Sequence, residues 1–169
     1  MNRFVVHLST YAIVLLLWTA IVRAQEEPVS PNKIPKAVVS SLLARFPGAK
    51  IDKCTRAREE GTVVYDIEFK QNGRKCESDI KENGGYINFE KAIKAGDLPK
   101  AVRGAIEKKY PNAALKEIMV ETEVKGKQEK LSAYEVVLST PDNIQFEVRF
   151  SPEGKTLEST VPKKPSGKK

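Results

Sequence analysis

Sixteen residues in the second half of this chain repeat an earlier stretch, and this duplication constrains the fold more than any other sequence feature. The stretch IPKAVVSSLLARFPGA, residues 34–49, aligns without a gap with LPKAVRGAIEKKYPNA, residues 98–113. The copies share Pro, Lys, Ala, Val, Pro and Ala, and they pair Ile with Leu, Leu with Ile and Phe with Tyr. Self-similarity at a fixed offset, here 64 residues, is typical of a fold that uses one structural unit more than once.

Each copy has the spacing of an amphipathic helix of about three turns. A proline stands near the start, where its missing N–H costs nothing, and a second proline before Gly48 or Asn112 favours the helix end. A helix this short needs another element to pack against. The apolar positions are Val38, Leu42 and Phe46 in the first copy and Val102, Ile106 and Tyr110 in the second.

The residues after each helix have the pattern of antiparallel strands. TVVYDIEFK and AYEVVLS alternate apolar and polar residues, which is typical of strands buried on one face. Turn residues follow in parallel, QNGR with TPDN and KENGG with SPEG, and they separate KCESDI and IQFEVRF from the short strands YINFE and TLEST. Each repeat therefore predicts a helix followed by four strands joined by hairpins.

A single unit of this kind buries little apolar surface, so we expect two units to share a core or to continue one sheet. The predicted fold class is α+β. It consists of two tandem units, residues 34–97 and 98–161, each a helix plus a four-stranded antiparallel meander, which form an extended sheet with the helices on one face.

The two ends of the chain differ from these units. Residues 1–24 have a short basic region, an apolar run and a small-residue site, which predicts a signal peptide cleaved near Ala24 and a periplasmic or secreted location. Residues 25–33 and 162–169 are polar, rich in proline and without periodicity. We predict a disordered linker for the first segment and a disordered basic tail for the second.

Loss of the signal peptide excludes several kinds of chemistry. It removes the single histidine, His7, together with Trp18, and it lowers the formal net charge from +7 to +5. A chain without histidine has no Ser-His-Asp or Cys-His machinery and no imidazole ligand, and two cysteines alone do not close a zinc site. Acidic residues are plentiful, but no spacing selects a catalytic pair. We therefore predict no enzyme activity, no catalytic or cofactor-binding residues, no cofactor and no metal.

The doubled pattern resembles the PepSY-like proteins, which are related in fold to beta-lactamase-inhibitor protein. The resemblance spans residues 34 to about 160 and implies an exported, non-catalytic protein with an extended, concave antiparallel sheet. It does not carry inhibitory activity over, since fold does not imply function. The residues that carry it are Pro35, Ala37, Val38, Phe46, Pro47, Ala49, Tyr65 and Gly84, then Pro99, Ala101, Val102, Tyr110, Pro111, Ala113, Tyr134 and Gly154.

Two cysteines, Cys54 and Cys76, leave two alternatives open. An exported protein favours a disulfide between them. The repeat alignment, however, places them on the first and third strands of one unit, about 9.5 Å apart, whereas the Cα atoms of bridged cysteines lie within about 6.8 Å. Two small buried thiols are the alternative.

Alternation along the strands predicts an acidic outer face. If the apolar residues point at the helices, their neighbours point the other way. The candidate binding face consists of Asp66, Glu68, Glu77, Asp79, Glu121, Glu123, Glu135 and Glu147, with Glu117 beside them. The tyrosines of these strands are expected to pack in the core rather than to contact a partner.

The leading functional prediction is a non-enzymatic exported module that binds an unknown protein or peptide, a basic one if the acidic face is used, with inhibition of that partner left open. The alternative is an envelope-associated structural protein whose tail lysines, Lys163, Lys164, Lys168 and Lys169, touch anionic polymer or lipid. We expect no nucleic-acid binding and at most peripheral membrane contact.

Overall fold

The computed structural model describes residues 26–160, which hold two α-helices, nine strands and two short 3-10 helices. Helix α1 spans Lys36–Arg45 and helix α2 spans Lys100–Lys109. Each helix begins directly after a proline in extended conformation. At the other end, Phe46 or Tyr110 precedes the next proline and donates its backbone N–H to a carbonyl oxygen of the helix. The predicted signal peptide, residues 1–24, and the basic tail, residues 162–169, lie outside the described residues.

The strands form one antiparallel sheet in which every strand lies beside its neighbours in sequence. This confirms the α+β class and the antiparallel meander. Whether residues 34–97 and 98–161 behave as two units stays a prediction, because β5 and β6 pair directly and the sheet continues through them. The strands are β1 (Glu27–Pro28), β2 (Lys50–Glu59), β3 (Thr62–Gln71), β4 (Arg74–Lys81), β5 (Tyr86–Ala92), β6 (Ala114–Lys125), β7 (Gln128–Ser139), β8 (Gln145–Phe150) and β9 (Thr156–Ser159).

Both helices pack on the same face of this sheet and form two hydrophobic cores. Helix α1 contributes Val38 and Leu42 to the first core, and α2 contributes Val102 and Ile106 to the second. The strand residues of the first core include Cys54, Tyr65, Ile67, Phe69, Cys76 and Ile80. Those of the second include Ile118, Tyr134, Val136, Leu138, Phe146, Val148 and Phe150. The alternation predicted from the sequence is therefore confirmed for these strands.

One glycine in each half lets a hairpin turn approach its helix closely. A Cβ added to Gly84, in the turn between β4 and β5, would lie 2.6 Å from Ser41 Oγ of α1. A Cβ added to Gly154, between β8 and β9, would lie 2.5 Å from the Ala101 carbonyl oxygen of α2. Both glycines have positive φ, +88° and +84°, which glycine adopts without strain.

The predicted disordered linker at residues 25–33 is wrong for residues 26–33. Glu27 and Pro28 form β1, which pairs with Arg56 and Thr55 of β2, and Pro31–Lys33 form a 3-10 helix. Arg56 also donates two hydrogen bonds to Glu27. A strand of two residues is too short to show a periodic pattern, so it cannot be predicted from this polar, proline-rich segment.

The strand order separates the two cysteines. Cys54 on β2 pairs with Ile67 of β3, and Cys76 on β4 pairs with Phe69 of the same strand. β3 therefore lies between them, as the repeat alignment predicted. Both side chains are buried and both cysteines are free. The alternative of two buried thiols thus describes the structure, and the disulfide does not.

Within residues 26–160, no helix has both the length and the apolar content of a membrane span.

Candidate binding face on the sheet

The eight acidic residues predicted for the outer face all lie on the side of the sheet away from the helices. Their strands place them at positions that alternate with the core residues, and the pairing carries this alternation from β3 to β8. We call this side the outer face. It is defined by Asp66, Glu68, Glu77, Asp79, Glu121, Glu123, Glu135 and Glu147 together with the residues that lie between them.

Two cross-strand rows bring several of these residues together. In the first row Thr55 pairs with Asp66, Asp66 with Asp79, and Asp79 with Asn88. In the second row Glu68 pairs with Glu77, Glu77 with Glu90, and Glu90 with Glu121. Like charges directly opposite each other destabilise a sheet. The arrangement therefore lowers stability unless cations or protons compensate it.

Basic residues compensate one part of the outer face. Lys53 Nζ lies 2.8 Å from Glu68 Oε1, and Lys75 Nζ lies 2.8 Å from Glu77 Oε1 and 2.7 Å from Glu117 Oε1. Arg149 forms an ion pair with Glu121, a residue that is only 6% exposed. Glu121 also accepts a hydrogen bond from Ser132 at 3.0 Å. Glu121 is therefore a structural, neutralised residue rather than an available one.

A second group of carboxylates has no basic partner among residues 26–160. It consists of Asp66, Asp79, Glu90, Glu135 and Glu147, none of which forms an ion pair within 4.0 Å there. Asp79 accepts a hydrogen bond from Asn88 Nδ2 at 2.9 Å. Lys53 lies near Asp66 and Arg149 lies opposite Glu135, but each of these cations forms its ion pair with another acid, Glu68 or Glu121.

A cavity of about 200 Å³ opens on the outer face over β2 to β5. The uncompensated Asp66, Asp79 and Glu90 line it, together with Thr55 and Asn88. Three buried atoms of residues in this lining, Thr55 Oγ1, Ser78 Oγ and Glu90 Oε2, have no hydrogen-bond partner in the described part of the chain. Thr55 is 7% exposed, so its hydroxyl faces the cavity rather than bulk water.

Burial raises the pKa values of the carboxyl groups in this region. The pKa of Asp66 rises to about 7, chiefly through desolvation and then through Asp79 and Glu77. Desolvation likewise raises the pKa of Asp79 to about 6, against the hydrogen bond from Asn88. Desolvation raises the pKa of Glu90 to about 9, followed by repulsion from Glu135 and Glu121. The pKa of Glu135 is also raised, by burial and by its neighbour Glu147.

This chemistry suits the binding of positive charge. Carboxylates and a free hydroxyl supply hydrogen-bond acceptors, and desolvation strengthens their attraction for a cation. A metal centre is a poorer match, because no group of three or more His, Cys, Asp or Glu residues among positions 26–160 could hold a metal ion. The two thiols are buried and have raised pKa values, which disfavours the reactive thiolate form.

Sequence reasoning missed Thr55, Asn88 and Glu90. The alternation of β5 could have found the last two, since the buried Phe89 places Asn88 and Glu90 on the opposite face. Thr55 had a similar signal in its neighbour Cys54, but its burial depends on β1 and β3 on either side.

The comparison with protein families gives one match. The family model described as "Putative beta-lactamase-inhibitor-like, PepSY-like" matches residues 17–88 and 63–158 in two overlapping segments. The two matches together extend over most of the chain. The comparison with curated proteins gives no match.

Solved structures with the same fold come from Bacteroides species. One of the "putative periplasmic proteins" of Bacteroides eggerthii is 14% identical, with a TM-score of 0.57 over 75% of this chain and 87% of that one. A DUF2874 family protein of Bacteroides uniformis is 16% identical, with a TM-score of 0.56 over 75% and 88%. A BLIP-like protein of Bacteroides fragilis is 19% identical, with a TM-score of 0.54 over 79% and 92%. The TM-scores, from 0.54 to 0.57, show a shared fold and nothing beyond it.

Proposed function

Because the chain belongs to the beta-lactamase-inhibitor-like, PepSY-like family, we propose that it is a non-enzymatic exported module whose outer face binds a basic protein or peptide. The observation that carries the proposal is the concentration of uncompensated carboxylates on the one sheet face that no helix covers. An antiparallel sheet with one solvated side needs no such concentration for its own stability.

The charge distribution supports a basic partner. The other side of the molecule carries cations on its helices, among them Lys100, Arg103, Lys108 and Lys109 on α2. A protein with opposite charge on two sides orients an incoming charged partner, and this orientation mainly raises the rate of association. The family match and the periplasmic description of a structural neighbour support export, in line with the predicted signal peptide.

The test reverses acidic charge at the second half of the outer face. We would compare the chain from Gln25 onward with a variant that carries Glu123→Lys, Glu135→Lys and Glu147→Lys. Glu121 stays unchanged, because it is only 6% exposed and its substitution would break its ion pair with Arg149. The matched control carries the same reversals at exposed acids elsewhere, Glu82→Lys, Glu107→Lys and Asp142→Lys.

Each protein is immobilised and exposed to the envelope fraction of its own source organism, and retained proteins are identified by mass spectrometry and then purified. We expect a basic protein or peptide that binds the unmodified chain and the control, associates more slowly as salt rises, and is lost from the outer-face variant. Retention that is equal for all three proteins would refute the outer face as the binding surface.

A further inference from the structure

We infer that the cavity over β2 to β5 is the subsite for one lysine side chain of that basic partner, whose ammonium group binds between Thr55 and Asp66, with Asp79 beside them. The inference rests on the proposed function, because it identifies which chemical group of the partner the outer face recognises. It is independent of the residues reversed in the test above, none of which lines this cavity.

The cavity has acceptors that lack donors. Thr55 Oγ1 is buried and has no hydrogen-bond partner among residues 26–160, and the same holds for Ser78 Oγ and Glu90 Oε2 elsewhere in the lining. A buried polar atom left without a hydrogen-bond partner lowers the stability of the fold. An ammonium group carries three donors and accepts none. It can donate to Thr55 Oγ1 and to the carboxylate of Asp66, which lies directly opposite Thr55 on β3, and it keeps a third donor.

The intramolecular cations do not fill this position. Lys53 pairs with Glu68, Lys75 with Glu77 and Glu117, and Arg149 with Glu121 and Glu158. Of these paired residues only Glu77 lines the cavity, and Asp66 and Asp79 form no ion pair within 4.0 Å among residues 26–160. A cation supplied by another molecule is the complement of this arrangement.

The spacing of the acceptors favours an ammonium group over a guanidinium group or a metal ion. Thr55 and Asp66 lie on adjacent strands, about 4.8 Å apart, so one compact cation between them reaches both. A guanidinium group binds best to two oxygens of one carboxylate. A calcium ion needs six to eight oxygen ligands, and no convergent acidic group of that kind exists in residues 26–160. A cavity of about 200 Å³ also leaves room for the aliphatic part of one side chain.

Protonation of the cavity controls the inferred contact. Asp66 faces Asp79 and Glu77 of β4 and Glu68 and Lys53 beside it, and Asp79 faces Glu59, Glu77 and Glu121. The raised pKa values, about 7 for Asp66 and about 6 for Asp79, mean that both carboxyls lose charge as the pH falls towards 5.5. A lysine stays protonated throughout this range. Binding is therefore expected to weaken in acid.

The experiment measures the binding of a fluorescent tetralysine amide to the chain from Gln25 onward by anisotropy at low salt, at about pH 8 and about pH 5.5. The same peptide with every side-chain amine acetylated tests the need for the ammonium group. Two variants test the cavity: Thr55→Val removes one acceptor without a charge change, and Asp66→Asn with Asp79→Asn removes the charge. Glu107→Gln with Asp142→Asn is the control, with the same loss of charge on exposed surface elsewhere.

We expect saturable tetralysine binding that weakens at least about tenfold in the double aspartate variant and about fivefold in Thr55→Val, since a neutral hydrogen bond contributes about 1 kcal/mol. We also expect it to weaken about tenfold or more from pH 8 to pH 5.5, and not in the control variant. The acetylated peptide should not bind. Thermal melts followed by circular dichroism establish that each variant is folded.

Several results would overturn the inference. Equal losses in the cavity and control variants would indicate attraction to net charge alone, and unchanged binding in Thr55→Val and the aspartate variant would place the peptide elsewhere. Saturable binding of calcium chloride without binding of tetralysine would make this a metal site. If tetralysine ignores the cavity while the charge reversals at Glu123, Glu135 and Glu147 still abolish partner capture, the lysine subsite is refuted and the proposed function stands.

Discussion

Several carboxyl groups on the outer face keep their protons to a higher pH than carboxyl groups in water. The cause in each case is burial first and repulsion from neighbouring acids second, as for Asp66, Asp79 and Glu90. The folded protein therefore binds more protons than the unfolded chain at pH values between the unfolded pKa, about 4, and the folded values. The free energy of unfolding must then fall as the pH rises through this window.

The substitution Glu90→Gln tests this linkage. Between about pH 5 and pH 9, Glu90 is largely protonated in the folded state and ionised in the unfolded state. We expect the variant to reduce the downward slope of the free energy of unfolding by up to about 1.4 kcal/mol per pH unit, and to be more stable than the unmodified chain near pH 9. Urea unfolding at a series of pH values measures the slope. Glu107→Gln, on the exposed side of α2, should leave it unchanged.

At the scale of secondary-structure elements, each helix packs on its strands through contacts at equivalent positions in the two halves. Phe46 packs on Phe69 with tilted rings whose centroids are 4.9 Å apart, and the ring centroids of Tyr110 and Phe146 are 5.1 Å apart. The turns with Gly84 and Gly154 meet α1 and α2 at equivalent distances. The two turn contacts depend on glycine at a positive φ. Each is therefore sensitive to a single added methyl group.

The substitution Gly154→Ala should therefore destabilise the second half strongly. Its Cβ would lie 2.5 Å from the Ala101 carbonyl oxygen, and the residue would keep a φ of +84°. The left-handed conformation costs about 1–2 kcal/mol, and overpacking adds about 1–3 kcal/mol. Gly73→Ala is the matched control: its φ is +77° but nothing lies within 4 Å of its Cβ. In urea unfolding it should show only the smaller, conformational loss; equal losses would mean that the close approach to α2 contributes nothing.

Strand order predicts the state of the cysteines. Since β3 lies between Cys54 and Cys76, the purified monomer should show two free thiols when it is denatured without reductant and titrated with a thiol reagent. In the folded state the thiols should react slowly, because burial raises the pKa of Cys54 to about 11 and raises that of Cys76. A denatured monomer without free thiols would require a different strand order.

At the scale of the whole molecule, contacts across the β5–β6 junction join the two halves. Val124 of β6 packs in the first core, and Lys75 of β4 pairs with Glu117 of β6. Arg45 of α1 lies over the rings of Tyr86 and Phe89 and pairs with Glu129. Such sharing favours one cooperative unit over two independent ones.

We therefore predict a single unfolding transition that responds to substitutions in either core. Leu42→Ala and Leu138→Ala, at two fully buried positions, should each lower the midpoint of the same transition, with a loss of about 2–5 kcal/mol. Leu157→Ala, at a residue that is 50% exposed, is the control and should change stability by less than about 0.5 kcal/mol. Urea unfolding followed by circular dichroism and by hydrogen exchange in each half tests this. Two transitions, each sensitive to only one leucine, would show that the halves fold as separate units.

Much of this protein follows from local sequence alone. The duplication, the spacing of Val38 and Leu42 or Val102 and Ile106, and the alternation of the long strands predicted the helices, the meander and the side of the sheet on which each acid lies. These features depend on the 3.6-residue and two-residue periods of helix and strand, which a sequence displays directly. The hairpin at Asn72 and Gly73 also follows, because both residues adopt positive φ there.

The candidate site itself was decided by tertiary structure. Only the pairing of β5 with β6 brings Glu90 opposite Glu121. Only the placement of Arg149 makes Glu121 a neutralised residue, while Asp66 forms no ion pair within residues 26–160. β1, too short for any period, joins the sheet edge beside Thr55. The burial of these carboxyl groups and of Thr55 depends on neighbours that are far apart in sequence. This burial raises the pKa values and leaves the Thr55 hydroxyl without a hydrogen-bond partner among residues 26–160. Local periodicity predicts which face a side chain occupies, but solvent exclusion depends on what the folded chain brings beside it.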